Sequence, residues 1–155
     1  MESTNEMNKW KASEIQLSYR SAVKPSMRPK ISGSEDAYKV LQESWDKSTI
    51  ELFEQFRVMF VNRSNRVLGL FLVSSGGISG TTVDPKLIFV AALKSGATGL
   101  ILSHNHPSGN LTPSQADIQL TKKVNDGGKL LDIQLLDHII VTQDCYFSFA
   151  DEGIL

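Results

Sequence analysis

A chain of 155 residues falls in the range of about 100 to 200 typical of one domain and short of the roughly 250 that a TIM barrel needs. Its composition, 41% hydrophobic and 21% charged, is that of a globular protein and excludes a disordered tail or a fibre. Sixteen Lys and Arg against seventeen Asp and Glu give a formal net charge of -1, so the overall field offers no attraction to nucleic acid or to an anionic membrane; only a local basic patch could supply one.

A single cysteine, Cys145, allows no internal disulfide and no zinc-finger spacing. The segment Met1 to Trp10 is polar, without the apolar core of a signal peptide, and no stretch approaches the roughly 18 apolar residues of a membrane span. The expectation is a cytoplasmic protein with no membrane partner.

Residues 1–33 read as an N-terminal extension, polar and rich in basic residues, within which Ile15, Leu17 and Tyr19 alternate as an edge strand would. A leading helix is expected over 34–46, starting at Ser34, Glu35 and Asp36 and carrying Ala37, Val40, Leu41 and Trp45 at helical spacing. From Ile50 to Val61 the pattern is strand-like, and a turn at Asn62 to Asn65 leads to a second run, Val67 to Val73; together they predict a β-hairpin. After a glycine-rich connection, Ser74 to Gly80, Asp84 and Pro85 open a helix that stops at Gly96. Ala97 to Ser103 is a short apolar run, expected as a strand buried on both faces.

A loop from His104 to Leu111 follows. Thr112, Pro113 and Gln115 then fit a capping box for a helix running to about Asn125 and ended by Gly127 and Gly128. Leu130 to Leu136, His138 to Thr142 and Tyr146 to Ala150 read as separate strand segments. The order predicts one α/β domain over 34–155, a mixed β-sheet flanked by helices in two or three layers.

The chemistry concentrates in Ser103 to Asp117, S-H-N-H-P-S-G-N-L-T-P-S-Q-A-D. On an extended chain His104 and His106 point to the same side and Asn105 points away. Pro107 keeps His106 out of the helical region and so preserves that geometry. Asp117 lies on the returning helix, where a strand-loop-helix turn can bring its carboxylate to the imidazoles. Two histidines and a carboxylate leave a position for water, the pattern of a catalytic zinc site rather than a closed structural one. Ser114 stands three residues before Asp117, on the same helix face, so it is expected to look at the metal as well; a first-turn capping role is the plain alternative.

The string H-x-H-P, six residues, S-x-x-D resembles the signature of the JAMM (MPN, JAB) metalloprotease family. H-N-H-P-S-G and L-D-H-I-I-V, the latter at Leu136 to Val141, are similar to its RadC-like branch, over roughly Glu51 to Leu155. The resemblance implies a JAB/MPN fold with cytidine-deaminase-like layering, Zn2+ held by His104, His106 and Asp117, and amide or isopeptide hydrolysis of a peptide or protein substrate. It further implies that Ser114 steadies the carbonyl and its oxyanion, and that a glutamate from the first strand is the general base. Glu54, in E-x-F with Phe56, is that glutamate; Glu51 competes, at opposite parity on a regular strand.

Larger RadC-like proteins resemble a helix-hairpin-helix module followed by this domain, but residues 1–49 show no paired glycine hairpin of that kind. A DNA-repair or mobile-element accessory role would therefore rest on the basic extension alone. An HNH nuclease spreads its residues over a ββα unit, whereas His104, Asn105 and His106 are adjacent. Zinc deaminases need H-x-E with P-C-x-x-C, which one cysteine cannot supply. Two histidines and a carboxylate can also hold iron, although the serine and glutamate favour hydrolysis. A silent MPN binding module would usually lack a ligand, and here the set is complete. His138 is expected as a strand residue packed near the site rather than as a fourth ligand.

Overall fold

The computed structural model describes residues 11–77 and 81–155; the first part of the expected extension and the end of the glycine-rich connection lie outside them. The elements run in the order α1 (Ser34–Ser44), β1 (Gln55–Val61), β2 (Val67–Ser75), α2 (Pro85–Ser95), β3 (Gly99–Asn105), α3 (Gln115–Leu130), β4 (Gln134–Val141) and β5 (Tyr146–Ser148). The strands form one mixed sheet in the order β2-β1-β3-β4-β5. Only the β3–β4 pair is parallel, because α3 carries the chain back between them.

Helices cover both faces, so the layering is α/β/α. On one face α1 contributes Ala37 and Leu41 to a core with Trp45, Ile50, Met59, Ile101, Ile139 and Val141. On the other, Ile88 and Ala92 of α2 and Val124 of α3 pack against Phe56, Val58, Phe60, Leu100, Leu102 and Leu135. Along β3, Leu100 and Leu102 face α2 and α3 while Ile101 faces α1, so His104 continues the α2/α3 side.

Local chemistry sets the element ends. The β1–β2 turn closes because Asn62 Oδ1 accepts from the backbone N–H groups of Ser64 and Arg66, both at 3.0 Å, with Asn65 at a positive φ of 56°. Asp84 caps α2 by accepting from Lys86 N at 2.9 Å, and Gly96 ends it in the left-handed region at φ 67°.

Several expectations are corrected. Ile15 and Leu17 are exposed and belong to no strand; Tyr19 alone touches the sheet, donating its hydroxyl to Leu68 O. The chain joins the domain at its last extension residues, where Val67 N donates to Pro29 O at 2.9 Å, Lys30 bridges Arg66 and Ile31 is buried. The leading helix ends at Ser44, with Trp45 as its extended cap rather than its last turn. Residues 47–53 form turns, and the first strand begins only at Gln55.

The third helix starts after Ser114, not after Thr112, and runs through Gly127 and Gly128 to Leu130. Those glycines mark close packing rather than a stop. A Cβ at Gly128 would lie 2.3 Å from Ile133 O, and one at Gly127 would lie 2.9 Å from the Phe89 ring. The strand segments expected at Leu130 to Leu136 and His138 to Thr142 are one strand, β4, interrupted by a register shift between the pairs Leu100–Leu135 and Ile101–Asp137. That bulge reverses the alternation of faces, and it turns His138 toward α3 instead of α1.

Candidate metal centre

Three elements converge at the C-terminal end of β3. His104 is its sixth residue, His106 lies just beyond it, and Asp117 is in the first turn of α3. His104 and His106 approach through their Nε2 atoms at 2.9 Å. Asp117 Oδ1 lies 3.3 Å from His104 Nε2 and Oδ2 lies 3.8 Å from His106 Nε2. The possible ligand atoms all fall within 4.8 Å of one another, so His104, His106 and Asp117 could hold one metal ion. His104 is fully buried and the other two are partly so.

The hydrogen bonds behind the rings decide which nitrogens are free. His106 Nδ1 meets Asn110 O at 2.5 Å, and a carbonyl can only accept, so Nδ1 carries the proton. The loop is shaped for this contact, with Gly109 in the left-handed region at φ 77° and its N–H donating to His106 O at 2.9 Å.

For His104 the chain of bonds is longer. Thr121 Oγ1 donates its only proton to Asp117 O at 2.6 Å, so it can only accept from His138 Nδ1, also at 2.6 Å. His138 Nε2 is then bare and accepts from His104 Nδ1 at 2.8 Å. Burial, with the His104 ring beside it, holds His138 well below the usual imidazole range, so it is neutral. Its ring is stacked on Phe149 at 4.6 Å between centroids and meets the edge of Phe56.

In the neutral tautomers that these bonds select, both histidines aim an unprotonated Nε2 into the volume that the Asp117 carboxylate faces. Burial alone would push that carboxyl up. With a proton on His104 Nε2 instead, that ring and the hydrogen bonds with Ser114 outweigh burial and hold the group well below the usual carboxylate range. Without that proton, the electron pairs of two nitrogens and a carboxylate meeting this closely repel unless a metal cation takes its place. A set of two nitrogens and one oxygen suits a borderline ion such as zinc, and each histidine has the hydrogen-bonded second nitrogen that zinc ligands normally show.

Ser114 is the N-cap of α3. Its Oγ accepts from Asp117 N at 3.1 Å, while Asp117 Oδ2 accepts from Ser114 N at 2.7 Å, a reciprocal capping box. The cap uses a lone pair of the hydroxyl and leaves its proton for another partner. Ser114, Glu54, Glu51, His106 and Pro107 border a cleft of about 510 Å³. Glu54 immediately precedes β1, half-buried, and Glu51 sits exposed in the preceding turn. Neither is on a regular strand, so parity does not separate them and both reach the same cleft. A larger cavity of about 670 Å³ lies at the opposite end of β3 and β4, against Thr98, Gly99 and Gln134, and includes none of these residues.

Asn105 and Thr121 carry parts that the sequence did not disclose. Asn105 accepts from Gln55 N at 2.7 Å and donates to Ile50 O at 2.6 Å and Phe53 O at 3.0 Å, so it ties down the segment bearing Glu51 and Glu54. Its place between the two histidines, on the opposite face, was the available signal. Thr121 gave none beyond standing one helical turn after Asp117.

The family profile of a RadC-like JAB domain matches residues 31–154. The chain belongs to that family. A UPF0758 protein of Flavobacterium johnsoniae is 50% identical over 125 residues, covering 81% of this chain and 53% of the relative. One from Chlorobaculum parvum is 39% identical over 145 residues, 93% of this chain and 64% of the relative, and one from Desulfitobacterium hafniense is 38% identical over 132 residues, 84% and 56%. The chain thus spans between about half and two thirds of the length of these relatives. Among the described residues, no helix is long and apolar enough to cross a membrane.

Proposed function

We propose that this RadC-like JAB domain is a zinc-dependent hydrolase of amide or isopeptide bonds, acting in the cytosol on a peptide or protein. One observation carries the reading: His104 and His106 each use Nδ1 in an inward hydrogen bond and turn Nε2 toward the Asp117 carboxylate. These three residues would hold the ion. When bound, zinc supplies Lewis acidity and makes water nucleophilic at neutral pH.

The chain's own residues do the rest. Glu54, on the wall of the cleft, takes the proton of the attacking water and delivers it to the leaving amine, the work of a positioned acid-base. Ser114 donates its free hydroxyl proton to the carbonyl oxygen as charge develops there. The cap bond to Asp117 N fixes that hydroxyl, so capping and oxyanion binding are compatible uses of one side chain.

The test is a profile of amide and isopeptide substrates with the zinc-loaded protein beside its Glu54→Gln and Glu51→Gln forms. Glu54→Gln should lower turnover about 10²- to 10⁴-fold and leave zinc in place. Turnover that survives Glu54→Gln but not Glu51→Gln would make Glu51 the base. Turnover indifferent to both would contradict the mechanism.

A further inference from the structure

We infer that Thr121 and His138 are positioning residues that fix the tautomer of His104, and so set the metal site in its binding form before any ion arrives. The inference rests on the proposed metal site and extends it to residues that touch neither ion nor substrate.

The geometry is directional from end to end. A backbone carbonyl, Asp117 O, can only accept, so the Thr121 proton points to it. Among neutral rings the remaining bonds then admit one arrangement of protons: His138 protonated on Nδ1, His104 protonated on Nδ1, and His104 Nε2 bare. The anchor of the relay is the backbone of Asp117 itself, so one hydrogen-bonded path joins two of the three ligands. Thr121 and His138 are both buried, which keeps water from substituting for either partner. His138 reaches this path only because the β4 bulge turns it toward α3.

Removing the Thr121 hydroxyl removes the acceptor for His138 Nδ1–H. The His138 proton then moves to Nε2, facing His104 Nδ1. His104 accepts there and carries its own proton on Nε2, where it blocks the ligand lone pair. Zinc must reverse that shift to bind, and losses of about 10- to 100-fold in affinity are typical when a partner behind a metal-binding histidine is removed.

The experiment compares the full chain with Thr121→Val, Thr121→Ala and Thr121→Ser. Imidazole tautomers are read in the metal-free proteins by long-range nitrogen–proton NMR correlation, and zinc affinity by competition with a chromophoric chelator. Wild type and Thr121→Ser should show His104 protonated on Nδ1. Thr121→Val and Thr121→Ala should move the proton to Nε2 and bind zinc about 10- to 100-fold more weakly. Unchanged tautomers in both of the latter variants overturn the inference, even with weaker zinc binding, because Thr121 would then act only through packing. A wild type with the relay tautomers that takes up no zinc would leave the relay standing and refute the proposed metal site.

Discussion

The two faces of β3 treat buried polar side chains in opposite ways. On the α1 side, Ser103 donates to Arg57 O at 3.0 Å, and Asn105 uses its oxygen and its amide group on Gln55 N, Ile50 O and Phe53 O. Each side-chain polar atom of Ser103 and Asn105 has a backbone partner, so these two residues hold the chain together. On the α2/α3 side, His104 uses only one nitrogen inward, His106 does the same just beyond the strand, and the two remaining nitrogens converge on a carboxylate. Buried polar capacity that is fully used reads as scaffold; capacity left over and aimed at one point reads as a site for a ligand. Strand β4 repeats the division, with Asp137 bonded to Ser148, Ala150 and His138 N on one face, and His138 bonded to His104 on the other.

Breaking the scaffold side should cost stability and spare the metal. Asn105→Ala strands Gln55 N and two carbonyls, a loss of about 2 to 4 kcal/mol from the penalties for unpaired buried groups. Chemical denaturation should show that loss while the folded variant keeps wild-type zinc affinity, because neither histidine bonds to Asn105. A fall in zinc affinity as large as that of a ligand substitution would erase the distinction between the faces.

A smaller effect sharpens the same comparison on β4. Burial pushes the Asp137 carboxyl up, against the hydrogen bonds it accepts from Ser148, Ala150 and His138. A carboxyl raised in the folded state stabilises the fold most below its unfolded value of about 3.9, and that contribution falls as pH rises through the folded value. Asp137→Asn can keep both backbone bonds on its oxygen and donate to Ser148, so it should change stability by less than about 1 kcal/mol near neutral pH. It should also remove the decline that begins above about pH 4. Asp137→Ala, which strands the donors, should cost about 1 to 3 kcal/mol across the range. Denaturation curves from pH 4 to 8 check both variants, and a decline that persists in Asp137→Asn would assign it to another group.

Much of the architecture was legible because it rests on local patterns. The hairpin announced itself through Asn62 and Asn65, the second helix through Asp84, Pro85 and Gly96, and the central strand through an unbroken apolar run. What stayed hidden depends on residues far apart in sequence. Gly127 and Gly128 read as a stop, but their meaning is set by Phe89 and the Ile133 carbonyl. The β4 bulge, and with it the facing of His138, arises from pairing with β3 and leaves no mark in a two-residue alternation.

The same holds for the site. The pair His104 and His106 and the return of Asp117 follow from strand and helix periods. The N-cap moved from Thr112 to Ser114 because both fit a cap pattern and only the helix start separates them. Strand parity does not separate Glu51 from Glu54, because residues 47–53 fold as turns.

Zinc content tests the central claim most directly. Protein purified without chelator, analysed beside Glu54→Gln and a His104→Ala, His106→Ala double variant, should hold one zinc per chain in the first two and none in the third, because Glu54 faces the cleft while the two histidines supply the nitrogen ligands. Stoichiometric zinc retained in the double variant would contradict the account.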